Sequence, residues 1–117
     1  MIAEQILNLL PYNLQNLTYI SELPLDVDNC IALVEYGGAH IYYFKNQMDT
    51  PLLKIVVRHN NYEQGYNLIK SYKQILSGYS DGQSLGIVLV EDIMYIGRDN
   101  KRRNMFQLTF KIFSYIN

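Results

Sequence analysis

Two histidines, one cysteine, an adjacent Glu-Asp pair and a short basic run are the residues of this chain whose types can carry chemistry. His40 and His59 have no serine, cysteine or carboxylate at a spacing that makes a catalytic set. His59 closes an apolar run and reads as a capping or surface residue. Cys30 opens another apolar run, which suits a buried structural thiol rather than a nucleophile. Glu91 and Asp92 are neighbours in an extended segment, where adjacent side chains diverge, so shared acid/base work fits poorly. Asp26 and Asp28 sit in one loop, but no glycine or later glutamate completes a calcium pattern. Gly37-Gly38 lacks the lysine and hydroxyl of a phosphate loop, and no GxGxxG occurs. The expectation is a protein that is not an enzyme and uses no metal or cofactor.

The basic run is Arg98, Lys101, Arg102 and Arg103. It can meet phosphates, and DNA contact is one reading of it. It is also an ordinary solvated hairpin tip, partly offset by Asp99, and no RNP-type aromatic motif accompanies it.

The elements that must position these residues are organised around one stretch. Pro51 to Arg58 reads as a strand with Leu53, Ile55 and Val57 on one face. Asn60 to Gly78 reads as an amphipathic helix whose stripe is Tyr62, Tyr66, Ile69, Tyr72 and Leu76, widened by Gly65, Leu68 and Ile75. Asn60 is the expected cap, with Glu63 completing a capping box, and Gly78 the expected stop. A strand feeding such a helix must fold it back onto its own sheet to bury the stripe.

Upstream, Ile2, Ile6, Leu9 and Leu10 mark a short helix ended by Pro11. Leu17 to Ser21 reads as a short extended piece and Glu22 to Asn29 as an acidic loop. Cys30 to Tyr36 reads as a strand that stops at Gly37-Gly38. Ile41, Tyr42, Tyr43 and Phe44 either extend a strand or occupy an exposed loop. Downstream, Leu85 to Val90 is a strand interrupted at Glu91-Asp92 and resumed over Ile93 to Gly97. After the charged turn, Phe106, Leu108, Phe110 and Ile112 alternate strictly with polar residues, so the C-terminus ends in an antiparallel hairpin. The expected class is α+β: a mostly antiparallel sheet of about four strands with two helices packed on one face.

The chain has 117 residues, which suits one domain spanning 1–117. One cysteine allows no internal disulfide and fits a reducing compartment. No apolar run approaches the ~20 residues of a membrane span, and no basic segment precedes the first apolar residues, so no membrane partner is expected. Net charge is −1, yet the first 50 residues hold six acidic residues against Lys45, while the remainder holds nine of the ten basic ones. That split suits a head-to-tail contact between copies or an internal balance. Eleven tyrosines and no tryptophan suit half-buried and interface positions.

Two helices cover only one face of a sheet. The other face is expected to carry Leu52, Val56, Val88, Val90, Phe113 and Tyr115 beside Lys54, Arg58, Thr109 and Lys111. That is more apolar than a solvated face requires. The patch, including Arg58, is either a contact between copies or is wrapped by residues 12–29 or 38–50. Tyr42, Tyr43, Phe44, Arg98, Lys101, Arg102 and Arg103 are the candidate partner-contact loops.

Taken together, Cys30 to Gly38, the run PLLKIVVRHNNYEQGYNLIKSYKQILSG and the closing YIGRDNKRRNMFQLTFKIF resemble the phage minor capsid and tail-terminator (tail-to-head joining) family over about residues 28–113. The family's strand ending in arginine and helix opened by tyrosine match Arg58 and Tyr62. Its Gly-Arg-Asp turn matches Gly97, Arg98, Asp99, Lys101 and Arg103. The resemblance implies a structural phage or prophage protein that caps the tail tube as a homo-oligomeric ring, expected to be a hexamer. It implies contacts with the tail-tube protein and the head-tail connector. It also implies residence in the host bacterial cytoplasm during assembly and then in the neck of the virion. The rival readings are a head-completion or connector protein of the same neck and a small monomeric nucleic-acid-binding module.

Overall fold

Strand β5 (Leu52–His59) buries Leu53, Ile55 and Val57 completely, as its alternation requires. It runs straight into helix α3 (Tyr62–Leu76), whose Gly65, Ile69, Tyr72 and Leu76 lie against the same side of the sheet. The computed structural model describes residues 2–36, 40–43, 46–49, 51–82 and 85–116, with residues 2, 40–43, 46–49 and 114–116 described by backbone alone.

The remaining elements are α1 (Ile2–Leu9), α2 (Tyr12–Gln15), β1 (Thr18–Ile20), β2 (Cys30–Tyr36), β3 (His40–Tyr43), β4 (Asn46–Asp49), β6 (Leu85–Arg98) and β7 (Asn104–Ile116). Among the described residues, seven strands form one sheet. Its body has the order β1-β2-β5-β7-β6, antiparallel except for the parallel β1–β2 pair. β7 is long enough to take β5 along residues 104–111 and β4 along 114–116, while β6 runs down its opposite edge. The β3–β4 hairpin therefore lengthens the sheet, and the molecule measures 51 × 25 × 23 Å. The class is the expected α+β. The expected strand count of about four omits β1 and this hairpin.

Ala3, Ile6 and Leu10 from the α1 segment join Ile31, Leu33, Leu53, Ile55, Val57, Phe106, Leu108, Phe110 and the α3 residues in one core. Both main helices thus share one face. Burial of this cluster supplies the main driving force for the fold. Tyr72 buries its ring fully, and its hydroxyl still finds a partner: Thr18 donates to the Leu14 carbonyl at 2.6 Å, leaving its oxygen to accept from Tyr72 at 2.5 Å. Tyr62 and Tyr66 remain half exposed, packing edge-on against Phe106 instead.

The cap of α3 is Asn61 rather than Asn60; the Asn61 side chain accepts from Gln64 N at 2.9 Å. Asn60 N is already committed to Asn29 Oδ1 at 3.0 Å. β6 is continuous through Glu91-Asp92, because Glu91 pairs with Thr109 and a register shift on each side of it absorbs one extra residue without ending the ladder. Gly37, Gly38 and Phe44 lie outside the described residues.

Candidate functional site

The sheet face away from the helices is the candidate site. Pairing registers place Cys30, Ala32, Val34 and Tyr36 of β2 opposite Arg58, Val56, Lys54 and Leu52 of β5, and these opposite Met105, Gln107, Thr109 and Lys111 of β7. Val88 pairs with Lys111, Glu91 with Thr109 and Met94 with Gln107, so β6 adds to the same face. Leu52, Val56, Val88 and Phe113 therefore share one surface. Val90 falls between two registers of β6 and is half exposed. For Tyr115 only the backbone is described; Ser114 and Tyr115 pair with Asp49 and Met48.

One end of this face is sealed by the chain itself. Arg58 is buried and donates to the carbonyls of Pro24 and Val27, and to Cys30 Sγ at 3.5 Å. Arg103, also buried, donates to Leu25 O at 3.0 Å and Val27 O at 3.3 Å. It pairs with Asp99 at 2.8 Å and faces Asp28 at 3.5 Å. The acidic loop is thus pinned across the Cys30–Arg58 end by two guanidinium groups, whose rigid forks suit carbonyl and carboxylate acceptors. Neither arginine lies on the exposed surface, although sequence reasoning placed Arg58 in the contact patch and Arg103 among the contact loops. The missed signal is the acidic loop itself, which is short and holds no cation of its own.

The other end stays open. Lys54 lies 5.3 Å above the Tyr36 ring and Lys111 5.9 Å above Phe113, so the lysines lie along apolar surface while their heads reach solvent. Thr109 is buried beneath them. Along the β6 edge, Val88, Val90, Met94 and Ile96 are each between 43% and 52% exposed, while Tyr95, 41% exposed, turns to the helix side against Tyr62 and Phe106. Sequence reasoning named Val88 and Val90 but not Met94, Tyr95 and Ile96. The signal was present: Ile93-Met94-Tyr95-Ile96 is apolar without alternation.

Arg98, Lys101 and Arg102 stand exposed on the β6–β7 turn. Asp99 builds that turn by accepting from the backbone of Lys101 (3.0 Å) and Arg103 (2.9 Å). Partial desolvation pushes the Asp99 carboxyl up, but these bonds and the Arg103 charge outweigh it and hold its pKa below the ordinary value. Tyr42 and Tyr43 are described by backbone alone, in β3.

The reactive residue types are spent structurally. Burial pushes the Cys30 thiol up, with the charges of Arg58 and Arg103 opposing, so a thiolate is disfavoured. Burial pushes the His59 pKa down, and its Nδ1 accepts from Asn61 N at 3.0 Å. Asp92 turns to the helix side and pairs with Lys73 at 2.8 Å, while Glu91 faces the other way. Asp92 and Lys73 line a hollow between α3 and β6 with Tyr66, Lys70, Gln74 and Ile93. Among the described residues, no helix is long and apolar enough to cross a membrane.

A model of the bacteriophage tail terminator protein family matches residues 6–116. No curated protein sequence matches the chain. Among solved structures, a chain from the virion of a native gene transfer agent particle superposes with a TM-score of 0.62 at 11% identity, covering 95% of this chain and 84% of that one. At that identity the likeness is one of fold.

Proposed function

The chain belongs to the bacteriophage tail terminator family, and from that premise we propose that it caps the tail tube as a homo-oligomeric ring and joins tail to head without catalysis. The observation that carries this reading is the open half of the sheet face. Leu52, Val56, Val88 and Phe113 lie together there, uncovered by either helix and beyond the loop that seals the other end. An apolar surface of this kind is stabilised by a neighbour, and a heterologous contact between identical copies closes into a ring when its rotation permits. A stable contact of that kind buries on the order of 1,200–2,000 Å² in total. A ring of six copies is the expected size. The tail-tube protein on one side and the head-tail connector on the other are the partners. Assembly would take place in the host cytoplasm, and the finished ring would sit in the virion neck.

Purified protein added to isolated tail tubes and imaged by negative stain tests the reading. Rings at one end of each tube, and tubes of unregulated length when the protein is withheld during assembly, are the expected results. Binding to DNA-filled heads but not to tubes would favour the connector role instead. Salt-sensitive DNA binding lost on replacing Arg98, Lys101 and Arg102 would favour a nucleic-acid module.

A further inference from the structure

The two long edges of the sheet body differ in kind. β6 forms one edge. Its outer side is closed near the start by Ile87 N to Tyr79 O at 2.9 Å, Gly78 N to Ile87 O at 3.1 Å and Asp81 N to Leu85 O at 3.1 Å. From Val88 to Arg98 it has β7 on one side and, among the described residues, no strand on the other. That open stretch carries the half-exposed Val88, Val90, Met94, Tyr95 and Ile96, holds the exposed Glu91 and Asp92, the latter paired with Lys73, and ends at the exposed cations Arg98, Lys101 and Arg102. A long apolar edge strand is an association surface unless it is covered.

The opposite edge is β1 with the helices and loop beside it. Residues 1–44 hold Glu4, Glu22, Asp26, Asp28 and Glu35 and no lysine or arginine. Glu4, Glu22 and Glu35 are exposed, as are Tyr12 and Tyr19. The registers also level the edges. Tyr19 pairs with Ala32, Ala32 with Val56, Val56 with Gln107 and Gln107 with Met94, so Tyr19 and Met94 end one row across the sheet on one face.

We propose that the β6 edge of one copy docks against the β1 edge of the next, Met94 meeting the neighbour's Tyr19 region, with Arg98, Lys101 and Arg102 facing its acidic side. The cations at the end of β6 and the acidic residues beside β1 make the two edges complementary to each other. The contact is heterologous, as a ring requires. This inference rests on the ring reading and adds an edge contact beside the open face.

Two variants with one added cysteine each test it, Met94→Cys and Tyr19→Cys, assembled on isolated tail tubes and oxidised; native Cys30 is fully buried. A disulfide-linked dimer is expected only when the two variants are mixed. Charge reversal supplies an independent arm. Arg98→Glu with Lys101→Glu and Arg102→Glu should abolish rings. Glu4→Lys with Glu22→Lys and Glu35→Lys should also abolish them, and mixing the two sets should restore them. Rings that give a Met94→Cys homodimer, or no mixed disulfide, or that survive either reversal, overturn the edge contact while leaving the ring intact. Wild-type protein that forms no ring on tubes overturns the ring reading and this inference with it.

Discussion

Arg58 and Arg103 donate to the same backbone oxygen, the carbonyl of Val27, at 2.5 and 3.3 Å. One comes from the end of β5 and the other from the turn before β7, so the acidic loop is tied to two adjacent strands at once. The loop has few apolar contacts of its own; its order depends on these charge-assisted bonds, which are stronger than neutral ones.

Replacing Arg103 with Met should therefore lower unfolding stability by about 1–3 kcal/mol, since the Leu25 carbonyl and Asp99 lose a buried partner. Urea denaturation reads the total. Hydrogen exchange should show faster amides at residues 24–29 with the β5–β7 ladder unchanged. Unchanged loop amides would show that the arginines do not hold it.

His59 predicts an acid-side loss. Its folded pKa lies below the ordinary 6.5 because burial disfavours the charged ring. The unfolded chain then takes up the proton first. Stability is fully present above the unfolded value, declines as pH falls below it, and levels off below the folded pKa. The variant His59→Asn, which keeps an acceptor near Asn61 N but does not titrate, should remove that slope from a series of urea melts between pH 7.5 and 5. A slope of unchanged size would assign it to other groups.

Gly65 is where α3 comes closest to the sheet. A Cβ at this position would lie 2.9 Å from His59 Cβ and 3.1 Å from Phe106 Cε2. Gly65→Ala gains helix propensity but must push the helix off the sheet, so a net loss of roughly 1–3 kcal/mol is expected. Thermal melts that show a gain would mean the helix shifts freely.

Val56→Asp and Phe113→Asp place a carboxylate on the open face without touching the core. Each should leave a monomer with native circular dichroism and a near-native melting temperature, and each should prevent ring assembly on tail tubes. Normal rings from both variants would remove the open face from the contact.

Local periodicity determined much of this protein from sequence alone. The 3.6-residue stripe of Ile69, Tyr72 and Leu76, the alternation of Leu53, Ile55 and Val57, and that of Phe106, Leu108, Phe110 and Ile112 each dictate which side is buried, because side-chain direction repeats with the backbone. The same alternation put Leu52, Val56, Val88 and Phe113 on the opposite face. Tertiary structure decided what local pattern does not encode. The β5–β7 ladder runs on through His59, and Asn29 takes the Asn60 amide, so the cap moves to Asn61. Pairing along β7 carries β6 straight through Glu91-Asp92: Glu91 pairs with Thr109, and register shifts on either side of it take up the extra residues. Arg58 and Arg103 turn inward because a loop distant in sequence offers them carbonyls, and a side chain's partner depends on which segments meet in space rather than on its neighbours along the chain.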